Sequence, residues 1–508
     1  MSAHNQTVTI ELLEDEYWWG GRTADGGSMP YGPALFQADM TGNHNGNQAA
    51  PLLISSKGRY LWSGGPFHFR FEDGYLTAHG AGELITGEGH GSLKGVFQQV
   101  SRTYFPPAGG IPEELLFTAP QYNLWIELQY EPTQEKVIAY AKSVLEHGLP
   151  PGVLMIDDSW HEPYGNWTFH YGRFPDPKAM VEELHALGFQ VMLWVCPFIS
   201  PDSPAFRELE PRGILLKDSS GRTALRKWWN GYSAVLDCTN PAAVEWIQER
   251  LDTLQRNYGI DGFKLDAGDA EFYAPDDLSY APATPSGHSE AWARAGLKYK
   301  LNEYRACWKL AGQPLVQRLK DKRHDWGAEG LGALIPDGLA QGLLGYAYTC
   351  PDMIGGGEIG SFTSAKIDPE LFVRYAQCSA LFPMMQFSAA PWRVLDETHL
   401  RYCVEAAGLH ASFGPEILEL ARHASRTGEP ILRHMAYEFP EEGLEMIKDQ
   451  FMLGSSTLVA PVVEKGRRER RVIFPKGTWS GDDGSVVEGP DVLNIEVPLG
   501  RLPYYRKL

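Results

Sequence analysis

Cysteine is scarce in this sequence, with six in 508 residues. Cys196, Cys238, Cys307, Cys350, Cys378 and Cys403 form no C-x-x-C pair and have no histidine cluster beside them. That spacing argues against a disulfide framework or a structural zinc site, since a thiol in an apolar run acts as a small hydrophobe. Basic residues are short too: 45 Lys and Arg stand against 64 Asp and Glu, for a net charge of −19. Nucleic acid and anionic membranes both need a basic surface, so neither is expected as a partner. No apolar run reaches the roughly 18 residues of a transmembrane helix. The first residues, Met-Ser-Ala-His-Asn-Gln, lack the apolar stretch of a secretory leader, and the expectation is a cytoplasmic protein. A Gly-rich phosphate loop after the first predicted strand, a Ser-His-Asp order and a His-rich metal set are also missing. No cofactor and no metal ion is therefore expected.

What is present is a globular composition, 43% hydrophobic and 21% charged. The length suggests roughly two to four domains. Aromatic residues make up 12% of the chain, including 15 Trp. Such a supply serves either sugar stacking or a large core, and composition does not separate the two.

Residues 1–118 show short alternating runs between Gly, Asn and Pro clusters, without a long helix. Gln6–Leu13, Arg59–Leu61, Phe67–Phe71 and Lys94–Val100 are the clearest. That pattern predicts an N-terminal β-sandwich. From residue 119, β-type apolar runs alternate with helical periods. Strands are predicted at Tyr122–Leu128, Val153–Ile156, Gln190–Val195, Gly262–Leu265, Leu315–Leu319, Tyr346–Thr349 and Met384–Phe387, with Ile431–Met435 as the eighth. Between them fall amphipathic stretches, among them Glu135–His147, Ala242–Tyr258, Glu290–Leu310 and Thr398–Ala424. Strands separated by helices across 119–437 predict an α/β fold, a (β/α)8 TIM barrel. Residues 200–240 lack a barrel helix and read as a loop insertion. Residues 438–508 alternate again and predict a small C-terminal β-domain.

A barrel places its reactive groups at the C-terminal ends of its strands. Val153–Ile156 runs into Asp157, Asp158 and Trp160. Gln190–Val195 carries Trp194. Gly262–Leu265 carries Lys264 and runs into Asp266. Leu315–Leu319 carries Arg318 and leads to Asp321, and Tyr346–Thr349 leads to Asp352. One strand-end Asp is as readily a helix N-cap as a functional group. Carboxylates at four strand ends, with Lys, Arg and Trp on the same rim, point to glycoside hydrolysis, which needs two carboxyl groups astride an anomeric carbon.

Several segments occur in the order found in glycoside hydrolase family 31, which the chain resembles from about Glu16 to its C-terminus. They are Gly-Phe-Lys-Leu-Asp-Ala-Gly-Asp (262–269), Ile-Asp-Asp-Ser-Trp (156–160), Leu-Trp-Val-Cys-Pro (193–197), Gln-Phe-Met-Leu-Gly (450–454) and Leu-Val-Ala-Pro-Val (458–462). Ala-Leu-Ile-Pro (333–336), Cys-Pro-Asp-Met-Ile-Gly-Gly (350–356) and Met-Gln-Phe-Ser-Ala-Ala-Pro-Trp-Arg (385–393) resemble the branch that contains α-galactosidases and the myogenesis-regulating glycosidase. The family's α-glucosidases usually carry a His near the last segment. Gln386-Phe387-Ser388 departs from that pattern, which counts against glucosidase specificity. The resemblance implies a retaining, exo-acting α-glycoside hydrolase, most closely an α-galactosidase, acting on α-linked oligosaccharides or glycosides. An α-glucosidase or α-xylosidase is the alternative within the family. A non-catalytic carbohydrate-binding protein is the alternative from another class. Oligomeric state, including a homo-oligomer, is left open.

The resemblance assigns Asp266 as nucleophile. Lys264 would stabilise its charge and bind a hydroxyl, beyond a plain ion pair. For the general acid/base, Asp321 and Asp325 are both candidates. The family's acid/base Asp typically stands five residues before a Trp, the spacing of Asp321 and Trp326. Asp157, Trp194, Trp229, Arg305 and Asp352 match family positions around the first sugar subsite. By periodicity alone Arg305 falls on a helix end. Trp18 and Trp19 fit either a reach into the site or packing between domains.

Overall fold

The computed structural model describes residues 6–364 and 367–508. Its centre is a sheet of eight parallel strands: β1 (Gln121–Asn123), β2 (Val153–Ile156), β3 (Gln190–Val195), β4 (Gly262–Leu265), β5 (Leu301–Tyr304), β6 (Gln317–Arg318), β7 (Thr349–Cys350) and β8 (Gln386–Phe387). They pair in the order β7-β6-β5-β4-β3-β2-β1-β8. The Ile354 amide donates to the Gln386 carbonyl (2.8 Å), which draws the two ends together into a TIM-type barrel. β2, β4 and β5 are buried along their whole length. For β2 and β4 this is why the sequence reads as a continuous or nearly continuous apolar run rather than an alternating one.

Helices follow most strands, and local chemistry sets their starts. Asp176, Asn240 and Asp368 each cap a helix that has Pro in its first turn, Pro177–Ala186, Pro241–Tyr258 and Pro369–Ala380 respectively. Proline lacks an N–H that would be unpaired there anyway. The connection from β5 to β6 is the exception. It carries no helix, and Cys307–Trp308 instead pairs parallel with Gln48–Ser55 of the N-terminal region.

The structure corrects the sequence reading in three places. The helix expected over Glu290–Leu310 ends at Ala295, and Leu301–Tyr304 is a barrel strand. Asn302 and Glu303 hid it: both are buried polar residues satisfied inside the barrel, Asn302 by the carbonyls of Tyr299 and Pro314 and Glu303 by Arg318. Arg305 therefore stands at a strand end, not a helix end. The segment expected as the eighth strand, Ile431–Met435, instead places Leu432–Arg433 antiparallel to Phe451–Leu453 in the C-terminal sheet. Gln386–Phe387 occupies the barrel position, paired with Gln121 and Tyr122. Third, the N-terminal region does hold a helix, Leu93–Tyr104, capped by Ser92. Leu93, Val96, Phe97 and Val100 are buried at i, i+3, i+4 and i+7, a helical stripe that a window beginning at Lys94 cuts short.

The N-terminal region otherwise comprises a four-stranded sheet and a second sheet built on Gln48–Ser55, every residue of which is buried. The two sheets meet through aromatic contacts such as Trp18 on Phe71. Residues 200–240 form a helix (Pro204–Arg212) and a hairpin (Leu225–Trp228 with Gly231–Val235) whose second strand pairs with Phe198–Ile199. All six cysteines are free and buried. Among the described residues no helix is long and apolar enough to cross a membrane.

Candidate active site

The C-terminal ends of the barrel strands open into a pocket of about 410 Å³. Asp157, Trp194, Trp229, Lys264, Asp266, Arg305 and Asp321 all line it. Seven of the eight residues singled out from sequence are thus brought together. The eighth, Asp352, lies behind this layer. It is fully buried and its oxygens accept from Arg318 Nη1 (2.8 Å) and from the backbone amides of Lys322 and Gly357. Its geometry is that of a brace for the strand-end Arg318.

Asp266 is held on every side. After Leu265 the chain turns sharply, with Ala267 at φ 56° and Gly268 at φ 71°, both left-handed. A side chain at 268 would run into Trp292, so glycine is required there. The turn brings the Ala267 amide onto Asp266 Oδ1 (2.8 Å), where Arg305 Nε also donates (3.0 Å). Oδ2 accepts from Trp194 Nε1 (2.9 Å) and has Lys264 Nζ at 3.6 Å. Burial raises the Asp266 pKa, but Lys264, Arg305, Arg318 and the Trp194 hydrogen bond outweigh it and hold the carboxyl well below the ordinary range. A carboxylate kept ionised and unable to turn is suited to attack an electrophilic carbon.

Its partners are fixed in their turn. β3, β4 and β5 align Trp194, Lys264 and Glu303 in one row. Lys264 Nζ donates to Asp157 Oδ2 (2.9 Å). Burial pushes the Asp157 carboxyl up against the pull of Lys264. Arg305 forms a two-point pair with Asp269 (2.9 and 2.7 Å), donates to the Gly46 carbonyl (2.8 Å) and sits 5.6 Å from the Trp229 ring centre. Trp229 stands at the tip of the 225–235 hairpin and is 47% exposed, an open aromatic face at the pocket mouth.

Two strands round the barrel from Asp266, on another wall of the pocket, Asp321 follows β6. Its Oδ1 is 2.9 Å from Arg318 Nη1, and its side chain is 38% exposed. Asp325 is exposed and turned into its own loop, accepting from the Gly327 amide, and it does not line the pocket. Trp18 and Trp19 are buried away from it. Trp19 packs edge-on against His434, between regions, while Trp18 packs on Phe71 within the N-terminal region. Gln386, in the segment that departs from the glucosidase pattern, is fully buried, donating to Glu303 (2.7 Å) and to Gln121 (3.0 Å).

Sequence reasoning passed over several lining residues. Asp158 and Asp269 sit inside the quoted motifs, and spacing from Asp157 and Asp266 was the available signal. Tyr130, Lys320 and Glu358 lie on loops and Glu271 on a single 3-10 turn, Ala270–Phe272, where no periodicity marks them. Gly46 comes from the N-terminal region, and its Asn-His-Asn-Gly-Asn setting signalled only a turn.

Comparison with known proteins agrees with this architecture. Residues 118–411 match the glycosyl hydrolases family 31 TIM-barrel domain, and residues 428–507 match the family 31 C-terminal domain. The myogenesis-regulating glycosidase of Mus musculus is 35% identical over 415 residues, covering 80% of this chain and 58% of its own length. The α-xylosidase XylQ of Lactiplantibacillus pentosus is 27% identical, covering 77% of this chain and 55% of its own. The chain thus spans somewhat over half the length of these relatives. A Flavobacterium johnsoniae GH31 dextranase superposes with a TM-score of 0.88 at 20% identity, covering 99% of this chain and 66% of its own. The barrel, the C-terminal sheet and these similarities together establish that this chain belongs to glycosyl hydrolase family 31.

Proposed function

We propose that this protein is a retaining, exo-acting α-glycoside hydrolase, and specifically an α-galactosidase. The observation that carries the first part is Asp266, a carboxylate locked in its ionised form in one wall of a pocket that has a second, part-exposed carboxyl, Asp321, in the other. In this reading Asp266 attacks the anomeric carbon while Asp321 protonates the departing oxygen. Asp321 then takes a proton from water, and that water cleaves the glycosyl-enzyme ester, restoring both carboxyl groups. Arg305, Trp194 and Lys264 hold the nucleophile in place. Asp157 and Lys264 on the floor offer acceptors and donors to sugar hydroxyls.

Seven acidic and three basic side chains line the pocket, and two of the bases, Lys264 and Arg305, are already ion-paired. That balance favours an uncharged sugar over an anionic one. The pocket, with buried residues at its base, suits the end of a chain rather than its middle. Support for galactose is the branch resemblance together with Gln386-Phe387-Ser388 in the region where the family's α-glucosidases usually carry a His. A panel of nitrophenyl α-glycosides tests the reading. The α-galactoside is expected to turn over fastest, with retention of configuration in the first-formed sugar. Faster turnover of the α-glucoside or α-xyloside would overturn the specificity. Sugar binding without turnover of any member would overturn the enzyme.

A further inference from the structure

The pocket is not made by the barrel alone. A six-residue segment of the N-terminal region, Asn43–Gln48, reaches three separate site-bearing segments of the barrel and one helix behind them, Leu334–Leu343. Asn43 Nδ2 donates to Glu271 Oε2 (2.7 Å). The Gly46 carbonyl accepts from Arg305 Nη1 (2.8 Å). Asn47 Oδ1 accepts from the backbone amide of Lys320, the residue before Asp321 (2.8 Å). Gln48 Nε2 donates to the carbonyls of Arg305 and Arg318 (2.9 Å for the latter), and its Oε1 accepts from Gln341 (2.7 Å).

We propose that Asn43–Gln48 is a positioning clamp of the catalytic site, with Gly46 setting the Arg305 guanidinium behind the nucleophile and Asn47 setting the turn that carries Asp321. This rests on the glycosidase reading above. Three features distinguish the clamp from ordinary domain packing. Its contacts are directed polar bonds, and its last two residues, Asn47 and Gln48, are fully buried, so each unmade bond would leave a desolvated group. Its partners are the side chain that bonds Asp266 and the amide adjoining Asp321, one for each wall. Its backbone is shaped for the purpose: Asn45 and Gly46 are both left-handed, at φ 59° and 70°. A Cβ at 46 would stand 2.8 Å from Arg305 Nη1, so glycine is what permits the guanidinium to lie there. The segment is anchored by His44 stacked on Trp308, within the strand that the barrel sends into the N-terminal sheet. Displacement of a catalytic group by about 1 Å is enough to lower a rate by about 10²-fold, so a clamp of this kind acts on rate without touching substrate.

The two arms of the clamp separate experimentally in the full chain. Asn47→Ala removes the acceptor beside Asp321 and should impair proton donation. Its kcat/KM on methyl α-galactoside, a poor leaving group, is expected to fall by about 10²-fold, and on α-galactosyl fluoride, which needs little acid assistance, by only about threefold. Gly46→Ala moves Arg305 and acts on the nucleophile, so both substrates should lose by a similar factor of about 10². Equal losses on both substrates in Asn47→Ala, or no loss in either variant, would overturn the proposal. Hydrogen exchange gives a readout independent of turnover: the peptide spanning Leu319–Lys322 should exchange faster in Asn47→Ala than in the parent. Unchanged exchange there would overturn the clamp. A parent protein that hydrolyses neither galactoside would overturn the galactosidase reading, and the exchange result would still decide the clamp.

Discussion

The two walls of the pocket are built differently. The wall that carries Asp266 is rigid and dry: both carboxylate oxygens accept hydrogen bonds, two cations stand against them, and each cation is itself paired with a further aspartate. The wall that carries Asp321 is a turn with more than a third of the side chain open to solvent. Among the described residues its Oδ1 has Arg318 at ion-pair distance but accepts no hydrogen bond. The difference fits the two duties proposed for these carboxyl groups. A nucleophile needs a fixed charge aimed along one line, so every freedom is removed. A group that gives a proton to a leaving oxygen and takes one from water needs exchange with its surroundings, so it is braced from behind by Arg318 and left open in front.

The largest test of this contrast replaces the two carboxylates in turn. Asp266→Asn is expected to lower kcat by about 10⁴-fold or more on every substrate, because no covalent route remains. Asp321→Ala is expected to lose about 10²- to 10⁴-fold on poor leaving groups, far less on the fluoride, and to regain turnover with azide as a small nucleophile. Steady-state kinetics on the two substrate types checks both. If Asp266→Asn stays within tenfold of the parent, the walls have been assigned the wrong way round or the site is elsewhere.

Loosening the rigid wall comes next. Arg305→Gln removes one of the positive charges that lower the Asp266 pKa, so that pKa should rise. The acidic limb of the kcat/KM profile should therefore move to higher pH, with kcat/KM at its plateau down by about 10²-fold. An acidic limb that stays in place would show that Asp266 does not set it. Trp194→Phe keeps the ring but loses the indole donor to Oδ2. A hydrogen bond to a charged group contributes about 1.5–3 kcal/mol, so the expected loss is about 10- to 100-fold. The same measurement with Asp266→Asn as background should show no further loss, since the carboxylate it serves is gone.

The two walls also differed in how far the sequence disclosed them. Asp266, Lys264 and Trp194 lie on long apolar strands, whose ends are easy to see and where a barrel puts its chemistry. β5 stayed hidden because its two central residues, Asn302 and Glu303, which face opposite sides of the strand, are polar and buried, Asn302 bonded by flanking loop backbone and Glu303 by Arg318 and Gln386. Periodicity detects burial through hydrophobicity, so a strand that buries hydrogen-bonded polar groups escapes it. Asp321 was placed by family spacing, not by pattern, because the segment after β6 is a turn. The N-terminal clamp left no trace that reading along the chain would find: Asn47 and Lys320 are 273 positions apart and meet only in the fold. Trp229 was legible as an aromatic in an insertion, but the hairpin that lifts it to the pocket mouth was not.

The smallest effect separates stability from catalysis by comparing Asp266 with a carboxylate depressed for another reason. Glu429 lies outside the site, where the helix Leu93–Tyr104, the end of the helix Glu397–Thr427 and the C-terminal sheet converge. It accepts from Gln98 (3.0 Å), Tyr437 (3.3 Å) and Arg433 (3.3 Å), pairs with His423 (2.9 Å) and has Lys94 at 3.5 Å. Burial raises its pKa, but His423, Arg433 and Lys94 pull it down to about 2. Because the folded value lies below the unfolded one, this carboxylate stabilises the fold above roughly pH 4.5, and the contribution fades as pH falls toward 2. Glu429→Gln should therefore lower stability near neutrality by about 1–2 kcal/mol, allowing for solvent screening of its exposed partners. The difference from the parent should shrink as denaturation is repeated at lower pH. Its kcat should stay within about twofold, because no group it touches lines the pocket. Asp266→Asn, which removes a carboxylate held down by Lys264 and Arg305, should also lower stability near neutrality, but of the two variants it alone should abolish turnover. If Glu429→Gln lowered kcat as steeply as stability, the convergence of helices and sheet at Glu429 would itself be part of what holds the rigid wall, and the division between a stabilising carboxylate and a catalytic one would fail.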